Sequence, residues 1–109
     1  MSLAVSGMPV MTVSSGGTVT NAIRQFDDAW ALSIYSPAST FTSTAVSISV
    51  EPTDTGTAFI VLQSGGVDVV LTSGRAMVMS PVPFKQMRVE FSAAEDASRT
   101  FTVRKTILV

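Results

Sequence analysis

Apolar and polar side chains alternate with a period of two along most of this chain, a pattern that specifies strands with one buried and one wet face. Trp30, Leu32 and Ile34 alternate with Ala31, Ser33 and Tyr35, and Val46, Ile48 and Val50 with Ser47, Ser49 and Glu51. Met87, Val89 and Phe91 alternate with Arg88, Glu90 and Ser92, and Phe101, Val103 and Lys105 with Thr102, Arg104 and Thr106. Residues 59–62 are apolar at every position, which predicts a strand buried on both faces or covered by a neighbour. The predicted core is Trp30, Leu32, Ile34, Val46, Ile48, Val61, Val89, Phe91, Phe101 and Val103.

Turn chemistry separates these runs. Ser64-Gly65-Gly66 predicts a tight hairpin, because paired glycines accept the positive φ that such a turn needs. Pro52-Thr53-Asp54-Thr55-Gly56 and Thr72-Ser73-Gly74 read as further turns, and Pro81-Val82-Pro83 breaks pairing before the strand at Met87. Residues 93–98 read as a solvated loop. Residues 20–29 could make one helical turn capped by Thr20 or Asn21. About seven strands at this spacing predict an all-β fold, an antiparallel β-sandwich of jelly-roll or Ig-like type.

A chain of 109 residues suits one domain. The division expected is an N-terminal arm over 1–20 and a single β-sandwich domain over 21–109. The arm segment holds Gly7, Gly16, Gly17, Pro9 and three methionines without a charge. Leu3, Val5, Met8, Val10, Met11 and Val13 could add a strand to a neighbour's sheet edge. The alternative is that residues 3–13 are the first strand of the chain's own sheet.

Charge is scarce. Only Arg24, Asp27 and Asp28 ionise within the first fifty residues, and charged residues make up 14% of the chain against about 25% in a typical soluble domain. Serine and threonine, about a quarter of all residues, fill the space. With a mean hydropathy of +0.42, such a surface is expected to be partly covered by neighbours. The net charge is −1 and the cations are interleaved with acids, so no nucleic-acid footprint is expected. No apolar run is long enough for a membrane helix, and the first residues lack the basic and apolar regions of a signal peptide.

Histidine and cysteine are absent, which removes the Ser-His-Asp triad, disulfides, and imidazole or thiolate metal sites. Lys85 and Lys105 read as edge-strand charges that block sheet-to-sheet pairing rather than as catalytic bases. Asp27-Asp28 and Glu95-Asp96 are sequence neighbours, which on strands point apart instead of converging on a bond. Asp27 and Asp28, with loop carbonyls, offer calcium ligands but not the EF-hand pattern; a turn in which Arg24 neutralises one of them is the simpler reading. Ser15-Gly16-Gly17-Thr18 lacks the lysine of a phosphate loop. Trp30 and Tyr35 are the candidates for sugar stacking, with Trp30 assigned to the buried face and Tyr35 to the opposite one. No catalytic, cofactor-binding or metal-binding residue is therefore expected.

The strand order carries a resemblance. A Trp-containing strand (Ala29-Trp30-Ala31-Leu32) is followed by a Ser-rich strand (residues 45–50), a short apolar strand and a Gly-Gly hairpin. A proline-phenylalanine segment then leads into Met87-Arg88-Val89-Glu90-Phe91-Ser92, and the last strand begins Arg99-Thr100-Phe101-Thr102-Val103. Over residues 25–109 this resembles small β-sandwich virion proteins of tailed bacteriophages, of the capsid decoration or cement type. The acidic segment 51–56 sits where such proteins have a polar loop. The resemblance implies a non-enzymatic subunit, made in the host cytoplasm and placed in the virion, whose partners are the major capsid protein or other virion proteins. Apart from the resemblance, the apolar excess over what a domain of this size can bury on its own points to a homo-oligomer, with a trimer favoured, and no cofactor, nucleic acid or membrane is expected. A head–tail adaptor or tail component, and a carbohydrate-binding β-sandwich module, are the alternatives.

Overall fold

A computed structural model describes residues 2–53, 55 and 58–109. Among these residues ten strands and no helix form two antiparallel sheets and a small hairpin. The first sheet is built on β10 (Arg99–Leu108), which is long enough to take two strands along one edge. Its first half pairs with β2 (Met11–Val13) and its second half with β1 (Leu3–Gly7). Its other edge pairs with β3 (Ala29–Tyr35), and β3 pairs with β8 (Ala76–Met79). The second sheet sets β4 (Val46–Glu51) between β5 (Ile60–Val61) and β9 (Gln86–Phe91). The hairpin of β6 (Gln63–Ser64) and β7 (Val67–Asp68) turns at Gly65 and Gly66, whose φ values of 62° and 80° are the left-handed angles expected of the glycine pair.

The inward faces interdigitate into one core. Phe101, Val103, Leu32, Ile34, Met11 and Val13 come from the first sheet, and Val46, Ile48, Met87, Val89 and Phe91 from the second. Each such side chain removed from water stabilises the fold by roughly 1.5–3 kcal/mol. At one end of the core Phe26 meets Phe84 edge-on at 5.3 Å, and Phe41 packs against both Phe91 and Phe101. The all-β antiparallel sandwich read from the alternation is the fold observed.

Several local expectations change. Of the predicted core, Trp30 is 50% and Val61 39% exposed, while the other eight residues are buried. The cause at Trp30 is a β-bulge: Thr106 faces Ala31 and Ile107 faces Ala29, so Trp30 has no opposite residue. The extra residue shifts the phase of the strand, and Ala31 and Leu32 are buried in succession. Val61 fails for another reason. β5 is a two-residue edge strand beside β4, and Ile60 is even more open than Val61, so residues 59–62 are not covered from both sides.

The turn expected within 20–29 is not capped at Thr20 or Asn21: a hydrogen-bonded turn lies at 26–29, where the Ala29 amide donates to the Phe26 carbonyl at 3.0 Å, and residues 20–23 are extended because their backbone is already used. Thr20 and Ile23 donate to the carbonyls of Val89 and Met87, and the Met87 amide donates back to Ile23. Of the two readings of residues 3–13, the structure shows the chain's own sheet: β1 and β2 follow one another along the edge of β10, separated at Pro9. Met11 and Val13 are fully buried, which anchors this segment in the core. The turn at residues 52–56 falls partly outside the described residues.

Candidate interaction surface

Strand alternation decides what the outer face of the first sheet presents. On β10, Phe101 and Val103 face inward, so Thr100, Thr102, Arg104, Thr106 and Leu108 face outward. Cross-strand register then places Leu3 and Val5 of β1, Ser33 and Tyr35 of β3, and Val78 of β8 on the same side. Leu3, Val5, Tyr35, Val78 and Leu108 are all exposed. Arg104 is the one ionisable group with charge at neutral pH on these outward positions. The rest of the face is apolar or hydroxyl-bearing, with Thr12 and Thr100 bonded to each other through their hydroxyls at 3.1 Å. A face with this much exposed apolar area and a single charge gains by being covered.

Beside β8 lies a cleft of about 430 Å³ between that strand and the β6–β7 hairpin, lined by Leu62, Val69, Met77, Met79, Pro83 and Phe84. A smaller one of about 280 Å³ lies among Phe26, Pro52, Val82 and Phe84, with Asp27 and Lys85 on its wall.

The charged groups are held in pairs that differ from those expected. Asp27 is bonded to Lys85 and Asp28 to Lys105, the latter at 2.6 Å. The hydrogen bond from Lys105, with its charge and a backbone hydrogen bond beside it, holds the Asp28 carboxyl below its usual range against the opposing effect of desolvation. Arg24 donates instead to the Gln86 side-chain oxygen at 3.2 Å. Nor are the lysines edge guards: Lys105 lies on β10, an interior strand of its sheet, with only 13% of its side chain exposed. Lys85 precedes β9 and reaches across to Asp27.

Glu95 is the largest departure from the solvated loop expected over 93–98. It is 1% exposed and accepts hydrogen bonds from Arg99 Nε at 2.9 Å, Ser43 N and Oγ at 2.8 Å, and Thr42 N at 3.0 Å. Burial alone would raise its pKa, but the bonds from Arg99, Ser43 and Thr42 outweigh it and bring the carboxyl down to about 2. The two neighbouring carboxylates do converge, since Asp96 takes the other arm of Arg99 at 2.9 Å. The site is a structural clamp that ties the 42–43 loop to the start of β10. A glutamate four residues before an arginine at a strand start was its one trace in the sequence.

On the outer face of the second sheet Arg88 lies over the Phe59 ring at 4.1 Å and bonds Glu90 at 2.9 Å. Ser49 and Glu51 are buried beside it. Tyr35 is exposed as expected, and so is Trp30, whose carbonyl accepts from Ser80 Oγ at 3.0 Å. The bulge that exposes the indole had no signature in the local sequence.

No family model and no curated protein matches the chain. Among solved structures, the SPBc2 prophage-derived protein YomS superposes with a TM-score of 0.61 at 9% identity, covering 96% of this chain and 93% of that one. A subunit structure from work on Bacillus endospore appendages, described as disulfide-linked pili, reaches a TM-score of 0.49 at 17% identity over 97% of this chain and 89% of that one. The first likeness is one of fold over nearly the whole of both chains.

Proposed function

We propose that this protein is a non-enzymatic structural subunit of a bacteriophage virion, a capsid decoration or cement protein that binds the shell and stabilises it. The outer face of the first sheet carries the proposal: a broad, exposed, apolar and hydroxyl-rich surface with Arg104 as its charged group. Such a face suits permanent burial against protein better than binding a soluble substrate. The fold shared with a prophage-derived protein supports the same source. The ionic clusters support it too, because their charges are used in holding loops together. Repeated over a symmetric shell, many modest contacts sum to a large stabilisation. Its partners are then the major capsid protein or other virion proteins.

Mass spectrometry and immunogold labelling of gradient-purified phage particles from the host that encodes the gene test this reading. Many copies on the shell support decoration, whereas a single ring of label at the head–tail junction supports an adaptor. Absence from purified particles would reject a virion role. The exposure of Trp30 favours one other reading, a carbohydrate-binding module. Its ring and that of Tyr35 lie five positions apart on β3, about 17 Å along the strand, and neither lines the two clefts described above. Retention on polysaccharide columns that is lost in Trp30→Ala would favour the sugar module.

A further inference from the structure

We propose that the two outer edges of the first sheet, β1 and β8, are the two halves of one head-to-tail interface, each occupied by a second copy of this chain. The sheet runs β1-β10-β3-β8, so β1 is paired only towards β10 and β8 only towards β3. Among the described residues, no backbone hydrogen bond reaches the far side of either strand. Open edges are normally blunted by charges, prolines or bulges. Neither Leu3-Ala4-Val5-Ser6-Gly7 nor Ala76-Met77-Val78-Met79 contains a charge or a proline, and the pairing of each strand is regular. Two unprotected edges of five and four residues therefore flank one sheet.

The topology makes these edges complementary. Each step across the sheet is antiparallel, so three steps leave β8 running opposite to β1. A second copy that continues the sheet with its core on the same side therefore offers its β1 to β8 as an antiparallel partner, which forms the stronger ladder. The faces also agree. Val78, 69% exposed, would lie beside Leu3 and Val5, 55% and 60% exposed. On the inner side the small Ala4 and Ser6 would lie beside Met77 and Met79, closing over the cleft between β8 and the β6–β7 hairpin. Stacking of the outer faces of two copies is the poorer arrangement, because it buries two Arg104 side chains in one interface with no acid among the outward positions named above. Head-to-tail pairing closes into a ring or continues as a filament. This self-assembly does not depend on what the assembled copies attach to.

The experiment measures mass by light scattering for the purified full chain, for Val5→Lys and Val78→Lys separately, and for the two variants mixed. The parent is expected to exceed 11.4 kDa as concentration rises, and each variant to remain at that mass. Each variant still has one intact edge, so the mixture should form a dimer of one copy of each and go no further. A parent that stays monomeric up to its solubility limit overturns the proposal. So do variants that assemble like the parent, and so does a mixture of monomeric variants that does not dimerise, the result expected of face stacking. Melting temperatures near the parent's show that the exposed substitutions leave the fold intact. Leu3→Lys and Ala76→Lys, on the same strands and faces, serve as a second pair if either variant fails to fold.

Discussion

Replacing Glu95 by glutamine tests whether the buried clamp holds the loops as described. The carboxylate accepts bonds at both oxygens, from Arg99 Nε and Thr42 N on one and from Ser43 N and Oγ on the other. An amide keeps one acceptor and turns an NH2 towards donors on the other side, whichever way it is placed. Each buried donor left without a partner costs about 1–3 kcal/mol. Breaking a buried ion pair costs about 3–5 kcal/mol, reduced here because Arg99 keeps Asp96. Glu95→Gln should therefore destabilise by about 2–4 kcal/mol, which lowers the melting temperature of a domain this size by roughly 10–20 °C. The pH dependence gives a sharper signature. A carboxyl at about 2 in the folded protein, against 4.5 ordinarily, contributes stability that is fully present above pH 4.5. That stability, at most about 3 kcal/mol, is lost as pH falls towards 2. The variant lacks this contribution, so the gap between the two proteins should narrow steadily from about pH 5 downwards. Melting followed by circular dichroism at a series of pH values reads both effects. A gap of only a few degrees at neutral pH, or one that stays constant down to the acid limit, would refute the reasoning.

Other outcomes follow from the same geometry. Leu32→Ala should cost about 2–5 kcal/mol in chemical denaturation because it opens a cavity in the core, whereas Trp30→Ala, two residues away, should cost about 1 kcal/mol or less because half of the indole is already in water. The fluorescence of Trp30, the protein's one tryptophan, should be open to acrylamide quenching in the free chain. Gly66→Val, at φ 80°, should destabilise the hairpin by about 1–2 kcal/mol, seen in the same denaturation curves. In Lys105→Met the Asp28 carboxyl should titrate at higher pH than in the parent, moving back towards its ordinary value, as read by NMR of its carboxyl carbon.

The sheet structure was legible in the sequence because it follows from alternation. Strands β3, β4, β9 and β10, the Gly-Gly hairpin and the break at Pro81-Val82-Pro83 were all read within a residue or a few of where they lie. Eight of the ten predicted core residues are buried for the same reason: a period of two puts one set of side chains inside whatever the partner strand is. The exposed apolar face was foreshadowed by the scarcity of charge, although which strands carry it was not. What alternation cannot report is where the pairing slips or which strands end a sheet. Trp30 is exposed because of a bulge against Thr106 and Ile107, residues more than seventy positions away. Residues 20–23 are extended because β9 uses their backbone. Glu95 is buried because the 42–43 loop and Arg99 meet around it. Lys105 is interior to its sheet because β1 and β2 share the far edge of β10. Local pattern specifies which side of a strand faces the core, and long-range pairing decides which neighbour is there and whether a strand has one at all.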